Sequence, residues 1–269
     1  MGLKRIKERI KGTFVFEAFS MVRKKPKLLA YIVLLDLLLI GSVFLLNFLS
    51  SFILGKEPMI MLNILKTRGA VTAFVFSFIF VYSLLIAFIY SLFKYIILHN
   101  IAAFFKNAKL DFNRLTKFYL FNYAAAASAF LLFIILSMAI LFIFKKEFAK
   151  IPLFLAFLAF LFLFYSFISI AHSLFALEFS FKKLIRKSLG LLFRSPSYIG
   201  IYFFDLAILV LYFVSYYLMG LLITSVAKVS PYKYNFVFSF ISLAVFYLII
   251  ATNRIYFYVI VKRKTEKKS

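Results

Sequence analysis

An all-α fold that crosses a lipid bilayer six times follows from three features of this chain. Six stretches run for about twenty or more residues with almost no charge, and a hydrocarbon core about 30 Å thick needs about 20 apolar residues of helix to cross it. Each stretch is fenced by Lys or Arg. The composition agrees: 65% of the 269 residues are hydrophobic, 40 of them Phe, and the mean hydropathy is +1.02. A soluble domain holds about 45–50% apolar residues and has no use for more.

The predicted spans are 28–54, 70–93, 118–144, 151–177, 197–227 and 235–261. Together, 28–261 form one six-helix transmembrane domain, with no soluble domain attached. Residues 1–27 hold nine basic residues around the apolar run Phe14, Val15, Phe16, Ala18, Phe19, Met21 and Val22. That pattern predicts a basic amphipathic helix on the membrane surface, ended by Pro26. A turn is expected over 55–58, and 59–65 is expected at the outer interface. The second span either ends near Phe93 or runs on through Lys94 and His99 to Phe105. Pro152 suits the first turn of the fourth span. Residues 262–269 form a short basic tail, expected to be disordered. No cleavable signal peptide is expected, because the first apolar run is too long and follows a long basic segment.

The formal charge of +24 divides unevenly. Lys and Arg number 9 before the first span, 5 over 94–117, 5 over 178–194 and 6 from Arg254 onward, 25 in all. The opposite connections hold 3, 3 and 2, 8 in all. The positive-inside rule places both termini in the cytoplasm, and an even number of spans requires the termini to share a side. The predicted location is the cytoplasmic membrane of a prokaryote. Charges placed at span ends meet anionic lipid head groups rather than nucleic acid.

Two cytoplasmic connections carry their own periodicity. After Ser180, a good N-cap residue, Phe181, Leu184, Ile185, Leu189 and Leu192 share a helical face. Lys182, Lys183, Arg186 and Lys187 lie off it. This predicts a second interfacial helix whose basic residues contact lipid head groups. Over 111–119 two readings stand: a similar helix capped by Asp111, with Leu115, Phe118 and Tyr119 apolar, or a plain solvated charge run.

The sequence also echoes itself. FSMVRKKPKLLAYIVLLDLLLI over 19–40 matches LGLLFRSPSYIGIYFFDLAILV over 189–210 in order: an apolar stretch, a basic residue, a Pro, then a span with one Asp. The implied unit is an interfacial helix followed by a two-helix hairpin, used in parallel orientation. A middle copy would begin near Asp111, without the Pro or the Asp. Chance similarity of apolar text is the alternative. The run EFSFKKLIRKSLGLLFRSPSYIGIYFFDLAIL over 178–209, with RKKPKLLAYIVLL over 23–35, resembles segments of poorly characterised prokaryotic six-helix membrane proteins. These are similar to the membrane domain of some glycerophosphodiester phosphodiesterases. The resemblance implies a six-helix fold. It transfers no catalytic residue, since the phosphodiesterase barrel has no counterpart here.

An ionisable residue in mid-span costs about 2.5–3.5 kcal/mol on insertion scales, so each needs a reason. At a rise of about 1.5 Å per residue, Asp36 and Asp205 lie roughly 13 Å above the cytoplasmic boundary, Arg254 roughly 12 Å and His172 roughly 9 Å. The expected arrangement is a polar layer in which Asp36 and Asp205 accept from Arg254. His172 lies nearby, with Lys94 or His99 joining if the second helix continues. Such a layer either lines a proton or solute path or locks helices together. Lys94 and Arg254 have a plainer role open to them, snorkelling to the interface. Ala124 with Ser128, and Ala125 with Ala129, offer a close-packing face within one chain or between two.

Catalytic signatures are absent: there is no HExxH, GxSxG or GxxxxGK run. The chain has no Cys and only two His, so thiolate chemistry is excluded and no metal or cofactor site is expected. Three readings follow. The chain is a non-enzymatic protein that shapes or organises the membrane, an accessory subunit of a larger membrane complex or homo-oligomer, or a transporter or channel component using the Asp/Arg/His layer.

Overall fold

A computed structural model describes residues 14–54, 67–103, 105, 111–144, 148–177, 180–194, 198–225 and 231–266. Among them there are eight α-helices and no strand: α1 (Phe14–Lys24), α2 (Pro26–Leu54), α3 (Arg68–Ala102), α4 (Leu115–Ile143), α5 (Lys150–Ala176), α6 (Phe181–Arg194), α7 (Ile199–Ser225) and α8 (Pro231–Glu266). Six of these, all but α1 and α6, are long and apolar enough to cross a membrane.

Proline sets several boundaries. α1 stops at Lys24 and Pro26 opens α2, because Pro supplies no N–H and disfavours the helical region in the residue before it. At a helix start the missing N–H is no loss, which also explains Pro231 at the head of α8 and Pro152 in the first turn of α5. α4 ends where Phe144 turns extended, its N–H bonded to Ile140 O at 2.9 Å.

Of the two ends open to the second span, the longer is found: α3 runs to Ala102, so Lys94 and His99 are helical residues of it. Two expectations need correction. Asp111 caps no separate surface helix. Its carboxylate accepts from Asn113 N at 2.9 Å and starts a single 3-10 turn, Phe112–Arg114, that leads straight into α4. The basic tail is helical through Glu266 as the end of α8, where Lys262 and Glu266 sit 3.9 Å apart one turn from each other. The 55–58 turn, the 59–65 segment and residues before Phe14 lie outside the described residues.

The chain divides into two compact units. One comprises Met1–Val33, Ile101–Lys106 and Tyr165–Ser269; the other comprises Leu34–Asn100 and Asn107–Phe164. Burial within each span is lopsided. It gathers at Ile32, Leu35 and Asp36 near the start of α2, and from Ser91 to Ala102 at the end of α3. It gathers again at Phe118, Phe121 and Asn122 near the start of α4, at 170–175 in α5, at Ile201 in α7, and over most of 251–261 in α8. In every case this is the end with the heavier basic flank. The remaining lengths expose Phe, Leu and Ile side chains, which suits a solvent of lipid chains and not water.

Candidate functional site

The first unit brings polar side chains of α5, α7 and α8 together. Asp205 of α7 accepts from Asn253 of α8, Nδ2 to Oδ2, at 2.6 Å. Asn253 is 4% exposed, and its Oδ1 has no hydrogen-bond partner among the described residues. The Tyr165 hydroxyl of α5 is enclosed beside Arg254 and Asp205 and interacts with the side chains of Asn253 and Ser169. One residue on, Ser166 Oγ and Tyr202 Oη lie 2.5 Å apart and tie α5 to α7.

Aromatic rings hold this cluster in place. Phe257 sits one helical turn beyond Asn253, and its ring centroid lies 6.0 Å from Tyr165, 6.5 Å from Tyr202 and 6.4 Å from Tyr198. Two of these contacts are edge-to-face, a preferred geometry for aromatic quadrupoles. The Tyr198 hydroxyl donates to Leu192 O at 2.8 Å, joining the end of α6 to the start of α7.

α1 is fastened to the end of α8. Ala18 is fully buried, and Glu17 forms an ion pair with Arg263. Lys25 Nζ donates to Ala103 O at 3.2 Å. Phe105 stacks on Tyr258 with centroids 4.8 Å apart, and Lys262 Nζ lies 4.6 Å from the Phe105 centroid.

Of the predicted polar layer, Asp205, Arg254 and His172 belong to the first unit, and Asp36, Lys94 and His99 to the second. Asp36 and His172 are buried at 2% and 6% exposure. Arg254, Lys94 and His99 are half-buried. Lys94 Nζ lies 5.5 Å over the Tyr90 ring of its own helix, a cation–π arrangement. The hydrogen bond shown for Asp205 comes from Asn253, the residue before Arg254.

The second unit has a similar polar tie, in which Asn122 of α4 donates to Ser91 Oγ of α3 at 3.0 Å. Both atoms belong to buried residues. Neither Asn122 nor Asn253 was singled out by charge. The usable signal was an uncharged amide inside an otherwise apolar span. On the small-residue face Ala129 is buried, whereas Ala124 and Ser128 are exposed. Among the described residues no group of three or more His, Cys, Asp or Glu is placed to hold a metal ion.

On α6, Lys182, Lys183, Arg186 and Lys187 are all exposed, while Leu184, Ser188 and Leu192 are buried. The apolar face read from sequence is therefore divided, because Ile185 and Leu189 remain exposed, as does Phe193, which that face did not include.

Comparison with protein-family models, with curated proteins and with solved structures finds no match to this chain. The fold defines the class. This is an all-helical chain with six helices suited to spanning a membrane and the character of a multi-pass membrane protein.

Proposed function

We propose that the chain is a non-enzymatic structural, organising or accessory protein of a prokaryotic cytoplasmic membrane. It crosses that membrane six times and keeps both termini in the cytoplasm. Anionic lipid is its constant partner, and a homo-oligomer or a larger membrane complex is its setting. The reading includes the resemblance to the membrane domain of glycerophosphodiester phosphodiesterases, as a fold without the catalytic barrel.

One observation carries it. The Asp205 carboxylate is engaged by Asn253 of the neighbouring helix at 2.6 Å, so an intramembrane acid serves as a tie between α7 and α8. The Asn122–Ser91 bond supports the same reading for α4 and α3. Polar groups in spans act as interhelical glue, worth about 0.6 kcal/mol on average and up to about 1.7.

Transport is the second reading, favoured by Asn253 Oδ1, buried without a hydrogen bond of good geometry among the described residues, beside a Tyr165 hydroxyl that interacts with the side chains of Asn253 and Ser169. Buried polar atoms left this way often serve a bound species or an ordered water. The double variant Asp36→Asn with Asp205→Asn separates the two. Under the structural reading the variant accumulates and loses only modest thermal stability in detergent, because an amide at 205 still accepts from Asn253, and no solute or proton flux depends on either acid. Normal accumulation with loss of solute or proton flux in proteoliposomes would instead establish transport.

A further inference from the structure

We propose that α6 holds an anionic glycerophospholipid, with its phosphate between Lys182 and Arg186 and an acyl chain along Leu189 and Phe193. This deepens the organising reading above by assigning the lipid a defined site on the protein, and it rests on that reading for the position of α6 at the membrane surface.

The helix has three faces. Leu184, Ser188 and Leu192, spaced four apart, are 0%, 0% and 5% exposed and seat the helix on the protein. Ile185, Leu189 and Phe193, one residue further round, are 39%, 43% and 73% exposed. Lys183 and Lys187 form the third face, Lys182 and Arg186 continue the exposed stripe toward the start of the helix, and α6 contains no acid. The protein thus covers only half of the apolar surface of this helix. Something else must cover the stripe that ends in Phe193.

The arrangement along the axis identifies it. Residues 182, 186, 189 and 193 are spaced four, three and four apart, which places them on one face of an α-helix. That face reads basic in its first half and apolar in its second, over about 16 Å. A glycerophospholipid has the same order, phosphate first and chain after. Water would solvate Lys182 and Arg186 but leave Phe193 bare. A zwitterionic lipid would cover the stripe but bring no net counter-charge to Lys182 and Arg186. An anionic lipid answers both. The face is also held in one orientation, since the buried stripe and the Tyr198–Leu192 hydrogen bond keep α6 from rolling. α1 differs in that its Glu17 pairs with Arg263, so part of its polar face is already occupied by protein.

The chain has no Trp, so Phe193→Trp places a single fluorescent reporter on the stripe of the full-length protein. The protein is reconstituted in phosphatidylcholine vesicles containing a minor fraction of brominated lipid, either phosphatidylglycerol or phosphatidylcholine. The proposal expects brominated phosphatidylglycerol to quench the introduced indole severalfold more strongly than brominated phosphatidylcholine at equal fraction. Adding Lys182→Gln and Arg186→Gln should bring quenching by the two lipids to near equality at low salt and leave quenching by brominated phosphatidylcholine intact. That residual quenching is the control for folding, and Arg186→Gln alone serves if the combined variant loses it. Equal quenching by the two lipids, or a preference that survives the Gln substitutions, overturns the proposal and leaves the organising reading standing. A preference abolished by inorganic phosphate at constant ionic strength also overturns it, in favour of a free-phosphate site. Absence of quenching by either lipid would overturn both the proposal and the placement of α6 at the membrane surface.

Discussion

Two spans of this chain use apolar residues in opposite ways. In Ile241–Glu266 of α8, 61% of the apolar window is buried, whereas in Phe112–Ile143, which holds α4, the share is 6%. Yet α8 is the least apolar of the six spans and α4 the most. In water the order would be reversed, since the most apolar segment would seek the interior. In lipid, hydrocarbon chains are as apolar as Leu, and what gathers helices is close packing and polar contact. Hence α8 carries Thr252, Asn253 and Arg254 in mid-helix and packs against α1 and α7. The far end of α4 presents Phe130, Met138, Phe142 and Ile143 outward.

The largest test of this contrast removes one ring from each span. Phe257→Ala of α8 deletes the ring against which Tyr165, Tyr198 and Tyr202 pack, and should cost about 3 kcal/mol or more. Phe142→Ala of α4, at a position 93% exposed, should stay within about 0.5 kcal/mol. Thermal unfolding in one neutral detergent compares them, and equal shifts would erase the distinction between the two spans.

A smaller effect is expected from the polar tie. Asn253→Leu strands the Asp205 carboxylate in a region it shares with apolar side chains and should cost about 1.5 kcal/mol. Asp205→Asn keeps an oxygen for the Asn253 amide and should cost less. Unfolding in detergent reads both, and the reverse order would mean that Asn253 is not what holds Asp205.

The smallest effect belongs to the clasp at the end of α8. Glu17→Gln removes the ion pair with Arg263, whose side chains are 24% and 47% exposed. Such pairs are worth about 0.5 kcal/mol and are screened by salt. Hydrogen exchange over α1 should accelerate modestly at low ionic strength and match the parent at high salt. A large, salt-independent acceleration would place the holding energy in the charge pair and not in the buried Ala18 contact.

Most of the span positions were legible from sequence because hydrocarbon tolerates so few alternatives: a run of twenty uncharged residues has to be a helix. The end of α3 was less legible. Lys94 looked like a boundary, but its charge lies over the Tyr90 ring while Tyr95, Ile97, Leu98 and Ile101 continue the buried face. The tail after Val261 looked too charged to order, yet Lys262 reaches both Glu266 and the Phe105 ring. Asn253 was overlooked because formal charge marked its neighbour Arg254 more loudly. Of the apolar face read for α6, Leu184 and Leu192 are buried and Ile185 and Leu189 are exposed, because periodicity does not say which part of a stripe the protein covers.

The account stands on six crossings, and the absence of Cys allows that to be measured cleanly. Single cysteines at Asn113, Ser180 and Lys264, and at Thr67 and Lys150, are labelled in sealed vesicles of known orientation with a membrane-impermeant maleimide. The first three should label from the cytoplasmic face alone, and the last two from the opposite face alone. Labelling of Thr67 or Lys150 from the same face as Ser180 would contradict the topology and everything built on it.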